Sequence, residues 1–300
     1  MAPHIKSPDE RSAEAVEVAL SATPYRLVRY IGRGGMGAVY EVAHRFIGRH
    51  FVLKVLHARF ADEPQFVDRM RVEAQAMARL HHPNVVEVVD FWSDGNGTPC
   101  LVMELLRGRT LAQELATRRQ LPLAEAIEVL RQVLSALSAA HALGIVHRDI
   151  KPENIFLHEA PGAPRMVKVL DFGVARVLFE SSHGSVSPLA IPTTTGTVVG
   201  SPRFISPEGA AGKKVDGRAD LYSAGVVAYV MMTGKGPFDA FNSTSVEPPS
   251  RVSHNEISSD LDAIILKSIE DQPDDRYQSA ADFLGALGRI APRTPSQWPR

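Results

Sequence analysis

Two short polar stretches carry the side chains best suited to chemistry, and apolar segments frame both of them. The first, HRDIKPEN, holds an acid, a cation and an amide at Asp149, Lys151 and Asn154. The second, DFG, starts 17 residues after Asn154, at Asp171. Oxygen atoms of Asn154 and Asp171 suit Mg²⁺, which completes its octahedron with water and phosphate oxygens. Asp149 is placed to accept a hydroxyl proton while Lys151 offsets charge on a transferred phosphoryl group, so the two stretches predict phosphoryl transfer.

An upstream segment, IGRGGMGAV, follows the pattern G-x-G-x-x-G-x-V. Glycine lets a backbone come close to phosphates, so the segment is a candidate phosphate-binding loop. A second strand, AVYEVAH, follows it in place of a helix, which argues against a dinucleotide-binding fold. A glycine-rich hairpin turn without a ligand is the alternative interpretation. The residues concerned are Gly32, Gly34, Gly37 and Val39.

Two charged side chains fall on otherwise apolar faces. Lys54 lies in the strand-like FVLK, and Glu73 shares a helical face with Met70 and Met77. Because a buried charge is costly unless it is paired, the pattern predicts an ion pair between Lys54 and Glu73. A generic lysine at a strand edge is the alternative for Lys54 taken alone.

The composition predicts a globular chain whose net charge is too small to produce a strong electrostatic field. Of its 300 residues 44% are apolar, enough for a sizeable core in one large domain or two lobes. The 33 basic and 34 acidic residues give a formal charge of -1, so nucleic acid is not expected as a partner. The single cysteine, Cys100, excludes an internal disulfide and is interpreted as a buried thiol.

The order of the elements predicts an α+β chain in two lobes. The segments YRLVRYIG, AVYEVAH and FVLKVLH predict an antiparallel sheet, and helical periodicity dominates the second half. The most apolar run, Leu221 to Thr233, has 13 residues, short of the roughly 20 that span a bilayer. The N-terminus lacks the apolar run of a signal peptide, so the chain is predicted to be cytoplasmic without a membrane segment.

With these motifs in this order, the chain resembles bacterial serine/threonine protein kinases that have a eukaryotic-like (Hanks-type) catalytic domain. The resemblance implies a bilobal protein kinase fold, with a small antiparallel β-sheet N-lobe carrying one main helix and a larger, mostly helical C-lobe. It implies ATP and Mg²⁺ as cofactors, with Mn²⁺ as a second option, and serine or threonine hydroxyls of proteins as acceptors. The implied boundaries are a flexible tail at 1–22, an N-lobe at 23–103, a hinge at 104–108, a C-lobe at 109–292 and a tail at 293–300.

Further roles rest on the resemblance alone. It implies that backbone groups of the hinge bind adenine, between one side chain above the ring and one below it. These ATP-site residues are Met103 as gatekeeper, Glu104 and Leu106 in the hinge, Val52 above the ring and Phe156 below it. It also implies three structural roles. His147 and Phe172 form a stacked spine with Met77, and Asp220 holds the catalytic loop, HRDIKPEN. Glu208 and Arg276 form a buried ion pair.

A span without periodicity, SSHGSVSPLAIPTTTGTVVGSP, is predicted to be an exposed loop. Arg148 precedes Asp149, and a phosphate on the loop could pair with its guanidinium and order the loop. Autophosphorylation is therefore expected on threonines of this span. The candidates are Thr193 and Thr195, followed by Thr194 and Thr197.

Two departures from the family pattern leave an alternative open. Val52 and Phe156 are bulkier than the usual residues around adenine, and only nine residues separate Phe238 from PPS. A pseudokinase that binds nucleotide or acts as a scaffold is therefore the alternative to an active kinase, and a small-molecule kinase is a third interpretation. A homodimer through the N-lobe is expected by resemblance.

Overall fold

The computed structural model describes residues 16–34, 37–57, 64–95, 97–160, 162–172, 202–239 and 246–290. The chain divides into two compact units. The first unit comprises Met1–Arg79 and Glu87–Leu105, and the second comprises Leu80–Val86 and Leu106–Arg300.

The first unit is built on a five-stranded antiparallel sheet with the order β1-β2-β3-β5-β4. One helix, α1, lies between β3 and β4 in the chain. Branched and aromatic residues form the strands, as their preference for a pleated, half-buried surface predicts. The bounds are β1 Tyr25–Gly34, β2 Gly37–His44, β3 His50–Leu56, α1 Pro64–Ala78, β4 Val88–Ser93 and β5 Pro99–Glu104.

The N-terminal boundary differs from the flexible tail expected at 1–22. Residues 16–20 are helical, and Val16 and Leu20, four positions apart on one helical face, are buried in the core of the first unit. They share this core with Tyr25, whose ring stacks on that of Trp92 at 5.9 Å between centroids. Residues 1–15 lie outside the described part of the chain. The apolar face of this segment is therefore explained by burial against the sheet.

The second unit is mostly helical, with a small antiparallel sheet of order β6-β7-β8. Its central helix, α5 (Gly217–Thr233), is buried on all sides. This burial explains why the helix is apolar throughout and lacks the spacing of an amphipathic helix. The strands are β6 Gly108–Thr110, β7 Ile155–His158 and β8 Met166–Val169. The helices are α2 Leu111–Arg118, α3 Leu123–Ala142, α4 Pro207–Ala210, α5 Gly217–Thr233, α6 Pro249–Val252, α7 Ser259–Ser268 and α8 Ala280–Ile290.

Residues 80–86 belong to the second unit, although the sequence placed them in the N-lobe at 23–103. The reason is backbone hydrogen bonding to the end of β8. Val86 N–H donates to the Val169 carbonyl at 3.0 Å, and Val169 N–H donates to the Asn84 carbonyl at 2.8 Å. The Asn84 side chain adds bonds to Gln132 and to the Val167 carbonyl. This connection between α1 and β4 is thus fixed to the second unit.

A charged cluster on the sheet of the first unit supports a prediction on pH dependence. Glu41 is buried, and its carboxylate binds His50 Nδ1 at 2.6 Å and Arg29 Nε at 2.7 Å. The hydrogen bond from His50, helped by the charge of Arg29, lowers the pKa of Glu41 below its usual 4.5. A lowered folded-state pKa stabilises the protein above the unfolded pKa and ceases to do so as pH falls through the folded value.

We therefore expect Glu41→Gln to lower the free energy of unfolding by about 1 kcal/mol at neutral pH. The difference between parent and variant should shrink as the pH falls below the usual pKa of glutamate. Thermal melts of both proteins across this pH range measure it. Glu17→Gln, an exposed acid of the same unit, is the control, and an equal difference at every pH would contradict the assignment.

Candidate active site

Asp149 lies in the loop that follows α3, and one of its carboxylate oxygens is held from two sides. Oδ2 accepts a hydrogen bond from Lys151 Nζ at 2.7 Å and another from Asn154 Nδ2 at 3.0 Å. Within the described residues, Oδ1 accepts no hydrogen bond, and the side chain is 28% exposed. The carboxylate is therefore fixed in place while one oxygen stays able to accept a proton.

Asp220 of α5 fixes the backbone of this loop through hydrogen bonds. Its fully buried carboxylate accepts hydrogen bonds from His147 N–H at 2.8 Å and Arg148 N–H at 2.7 Å. Arg148 has φ +65°, in the left-handed region that costs a non-glycine residue about 1–3 kcal/mol. Two backbone bonds to one buried carboxylate thus stabilise a strained conformation immediately before Asp149.

Asn154 and Asp171 fit the needs of a divalent cation. Because Asn154 Nδ2 donates to Asp149, the Asn154 side-chain oxygen remains as a cation ligand. Leu170 N–H donates to the Asn154 carbonyl at 2.8 Å, which ties the residue before Asp171 to Asn154. The chain would supply one amide and one carboxylate oxygen, and water and phosphate would supply the rest. The described residues contain no group of three His, Cys, Asp or Glu side chains that could hold a metal.

His147 and Phe172 are in contact inside the second unit, next to the loop. The two rings lie 4.6 Å apart between centroids, and both side chains are buried. His147 is fixed further by bonds from Nε2 to the Leu170 carbonyl at 2.8 Å and from Asp149 N–H to Nδ1 at 3.2 Å. The proposed spine pair therefore also joins the HRD and DFG motifs. Met77 is buried in α1, in the first unit.

Phe156, expected below adenine, lies in the middle of the small sheet. It pairs with Thr110 of β6 and Lys168 of β8 and is half-buried. Gly108 opens β6 with φ +126°, and a Cβ there would lie 2.1 Å from the Leu157 carbonyl oxygen. Only glycine therefore allows β6, at the end of the expected hinge, to pair so closely with β7.

Glu208 and Arg276 form a bidentate ion pair. Arg276 Nη1 and Nη2 lie 2.8 Å from the two carboxylate oxygens, and the arginine side chain is fully buried. Arg276 also donates to the Glu270 and Asp271 carbonyls and lies over the Tyr222 ring. Burial acts to raise the pKa of Glu208, but the hydrogen bonds from Arg276 keep it below its usual value.

The glycine motif spans the turn between β1 and β2. Gly32 and Gly34 end β1, and Gly37 and Val39 lie in β2. A Cβ on Gly37 would lie 2.0 Å from the Val55 carbonyl oxygen, whereas a Cβ on Gly32 would meet open space. The close approach of β2 and β3 thus requires glycine at 37. The strand on each side of the turn agrees with a hairpin.

The other expected ATP-site residues of the first unit lie on β3 and β5. Lys54 is buried in the middle of β3, and Val52 pairs with Met103 of β5. Glu104 ends β5, and its N–H donates to the Glu87 carbonyl. Leu106 is the first residue of the second unit after Leu105, so the boundary between the units falls inside the expected hinge.

Several predicted features lie outside what the structure describes. Glu73 belongs to α1, but its side chain is not described, so its pairing with Lys54 stays a prediction. The threonine candidates and residues 240–245 after Phe238 also lie outside the described ranges. The threonines concerned are Thr193, Thr194, Thr195 and Thr197.

Two functional details were missed by sequence reasoning. His141 was given no role from the sequence, yet its Nε2 lies 2.8 Å from Asp220 Oδ2. Its position six residues before His147, at the end of the helix, was the available signal. Helix α2 was also missed, although Thr110 and Gln113 form a capping box at its start.

The fold and this constellation define a protein kinase. A family model described as protein kinase domain matches residues 25–287, and the chain therefore belongs to the protein kinase family. The predicted family and fold class are confirmed, with an antiparallel sheet in the first unit, the N-lobe, and a helical second unit, the C-lobe. Members of this family use ATP and a divalent metal.

The chain is similar to curated bacterial serine/threonine-protein kinases. It is 42% identical to serine/threonine-protein kinase Pkn1 of Myxococcus xanthus over 282 residues, covering 90% of this chain and 38% of that protein. It is 38% identical to serine/threonine-protein kinase PknB of Mycobacterium leprae, covering 92% of this chain and 44% of that protein. The chain thus spans less than half the length of either relative, and the match supports a serine/threonine kinase domain.

A solved structure supports the fold. The crystal structure of the Mycobacterium tuberculosis PknI kinase domain matches with a TM-score of 0.70 and 28% identity, covering 91% of this chain and 99% of that one. Among the described residues, no helix combines the length and the apolar character needed to cross a membrane.

Proposed function

We propose that the chain is an active Mg²⁺- and ATP-dependent kinase that phosphorylates serine and threonine hydroxyls on proteins, including threonines of its own activation loop, the span SSHGSVSPLAIPTTTGTVVGSP. The observation that carries the proposal is the catalytic loop, where Asp149 is fixed through one oxygen by Lys151 and Asn154. An inactive scaffold would not need a strained Arg148 held by Asp220 to keep that carboxylate in place.

The residues divide the work of transfer. Asp149 accepts the proton of the attacking hydroxyl, and Lys151, 2.7 Å from its carboxylate, stabilises negative charge on the transferred group. Lys54 positions the phosphates of ATP. Asn154 and Asp171 hold Mg²⁺, which supplies neutralisation of phosphate charge when bound. Mn²⁺ offers the same charge to the same oxygen ligands and would serve as a substitute.

The cellular location and the binding partners are also proposals. A kinase that uses ATP is expected in the cytoplasm with protein substrates. A homodimer through the N-lobe stays a prediction from the family resemblance. Most of the short segment between Phe238 and PPS, residues 240–245, lies outside the described ranges. The substrate is therefore proposed only as a class, a protein with serine or threonine hydroxyls.

The test of activity is the intact mass of the purified, phosphate-free chain after incubation with Mg²⁺ and ATP. We expect added phosphates in the parent, none without a divalent cation, and none in Lys54→Met, because that variant loses phosphate positioning. Peptide mapping should place the label on Thr193 or Thr195. An unlabelled parent that still binds nucleotide would contradict the proposal and favour the pseudokinase alternative.

A further inference from the structure

His158, the last residue of β7, has no role in the predicted chemistry, yet its side chain is hydrogen-bonded to the backbone of the expected hinge, residues 104–108. Its Nδ1 lies 3.0 Å from the Arg107 nitrogen and 3.0 Å from the Arg107 carbonyl oxygen. Both residues belong to the second unit. The hinge is the segment whose backbone groups the family resemblance assigns to adenine. The contact therefore joins a strand of the small sheet to a segment expected to bind the nucleotide.

The Arg107 N–H is the donor in this contact. The Arg107 carbonyl already accepts a hydrogen bond from Glu159 N–H at 2.8 Å. Among the described residues, the Arg107 N–H has no acceptor other than His158 Nδ1. Because a backbone N–H can only donate, Nδ1 is the acceptor and the imidazole proton lies on Nε2. His158 thus supplies the acceptor that this backbone donor needs.

This hydrogen bond fixes the orientation of the peptide unit between Leu106 and Arg107. No peptide bond of the described residues is cis, and a planar trans peptide directs its N–H and its C=O to opposite sides. The direction of the Arg107 N–H toward His158 therefore sets the direction of the Leu106 carbonyl. Leu106 is one of the two hinge residues that the resemblance assigns to adenine. A hydrogen bond to the N–H also makes the carbonyl of the same peptide unit a stronger acceptor.

The strand that carries His158 is itself held in place. His158 pairs with Gly108 across the small sheet, and its imidazole is half-buried. The next residue, Glu159, accepts a hydrogen bond from Arg165 Nε at 2.9 Å. Arg165 Nη1 also lies 3.3 Å from the buried carboxylate of Glu125 in α3. The acceptor therefore occupies a fixed position, which is what the orientation of a peptide unit requires.

We propose that His158 is a positioning residue for nucleotide binding, which orients the Leu106–Arg107 peptide unit for the adenine base. Phe156, expected below adenine, lies two residues earlier in β7, and side chains two apart in a strand point to the same face. The strand would therefore contribute one side chain to the base and one to the hinge. The proposal rests on the proposed use of ATP, but it concerns affinity for the base and not the transfer of phosphate.

Calorimetric titration of the whole chain with adenosine and with ATP and Mg²⁺ tests the proposal. We expect His158→Leu to weaken the affinity for both ligands by the same factor, about fivefold, because the lost hydrogen bond acts at the base and adenosine carries no phosphate. His158→Asn should bind both within about twofold of the parent, since the asparagine Oδ1 can replace Nδ1 as the acceptor. His254→Leu, at an exposed histidine of the same unit, is the matched control and should bind like the parent.

The comparison between ligands separates positioning from a general loss of stability. Melting temperatures without ligand check that each variant is folded, and His158→Ala, which also lacks an acceptor, should bind as weakly as His158→Leu. The proposal is overturned if His158→Leu binds adenosine as the parent does, if only the affinity for ATP falls, or if His158→Asn is as weak as His158→Leu. A parent that binds neither ligand would overturn it as well. A parent that binds both ligands but transfers no phosphate would contradict the proposed kinase activity alone.

Discussion

Asp149→Asn is expected to reduce the rate of phosphate transfer by about 10²- to 10⁴-fold while ATP affinity stays close to that of the parent. We propose that this carboxylate, whose Oδ2 is held by Lys151 and Asn154, accepts the proton of the attacking hydroxyl. Asparagine keeps the size of the side chain and an oxygen that can accept hydrogen bonds from Lys151 and Asn154. Asparagine is nevertheless a very weak base, so the substitution is expected to slow the chemical step.

The distinction between rate and binding makes this experiment specific. Single-turnover phosphate transfer and nucleotide titration should be measured on the same protein. Loss of the base slows the transfer step but leaves the affinity for ATP unchanged. Glu256→Gln, an exposed acid of the same unit, controls for the removal of a negative charge. A variant that transfers phosphate at the parental rate would exclude Asp149 as the base. A variant that loses ATP affinity to the same degree would assign it a structural role.

Arg276→Met is expected to lower the free energy of unfolding by about 3–5 kcal/mol, the second large effect. Arg276 is fully buried, and its removal leaves the Glu208 carboxylate, 11% exposed, without its charged partner. The Glu270 and Asp271 carbonyls also lose donors at 2.6 and 2.8 Å. Removing one partner leaves the other charge buried and uncompensated. This lowers the free energy of unfolding by far more than the intact ion pair contributes to it.

Arg218→Met is the matched comparison for this prediction. Arg218 pairs with Asp216 and Asp274, but those acids are 58% and 90% exposed, so solvent screens the charges. We expect this substitution to cost about 1 kcal/mol or less. Urea unfolding of both variants gives the comparison. Adding Glu208→Gln to Arg276→Met should recover part of the stability, because it removes the buried charge. Equal losses for Arg276→Met and Arg218→Met would contradict the interpretation.

Local patterns in the sequence predicted which part of the chain is strand and which is helix. Apolar spacing predicted the helix that became α1 and the helical second half, and branched and aromatic residues predicted the first three strands. These predictions succeed because hydrophobic periodicity reflects which face of an element is buried. Helix α2 was missed because its eight residues are shorter than the window of about 11 to 18 residues in which helical periodicity can be recognised.

The sequence by itself determined the family and predicted the chemistry of the site, since the HRD loop and the DFG segment place their acids, cation and amide by spacing along the chain. Only the tertiary structure decided three other features. It placed Val16 and Leu20 in a core, assigned residues 80–86 to the second unit through bonds to β8, and joined His141 to Asp220. Each of these depends on contacts between residues distant in sequence, and periodicity within one segment carries no information about its partners.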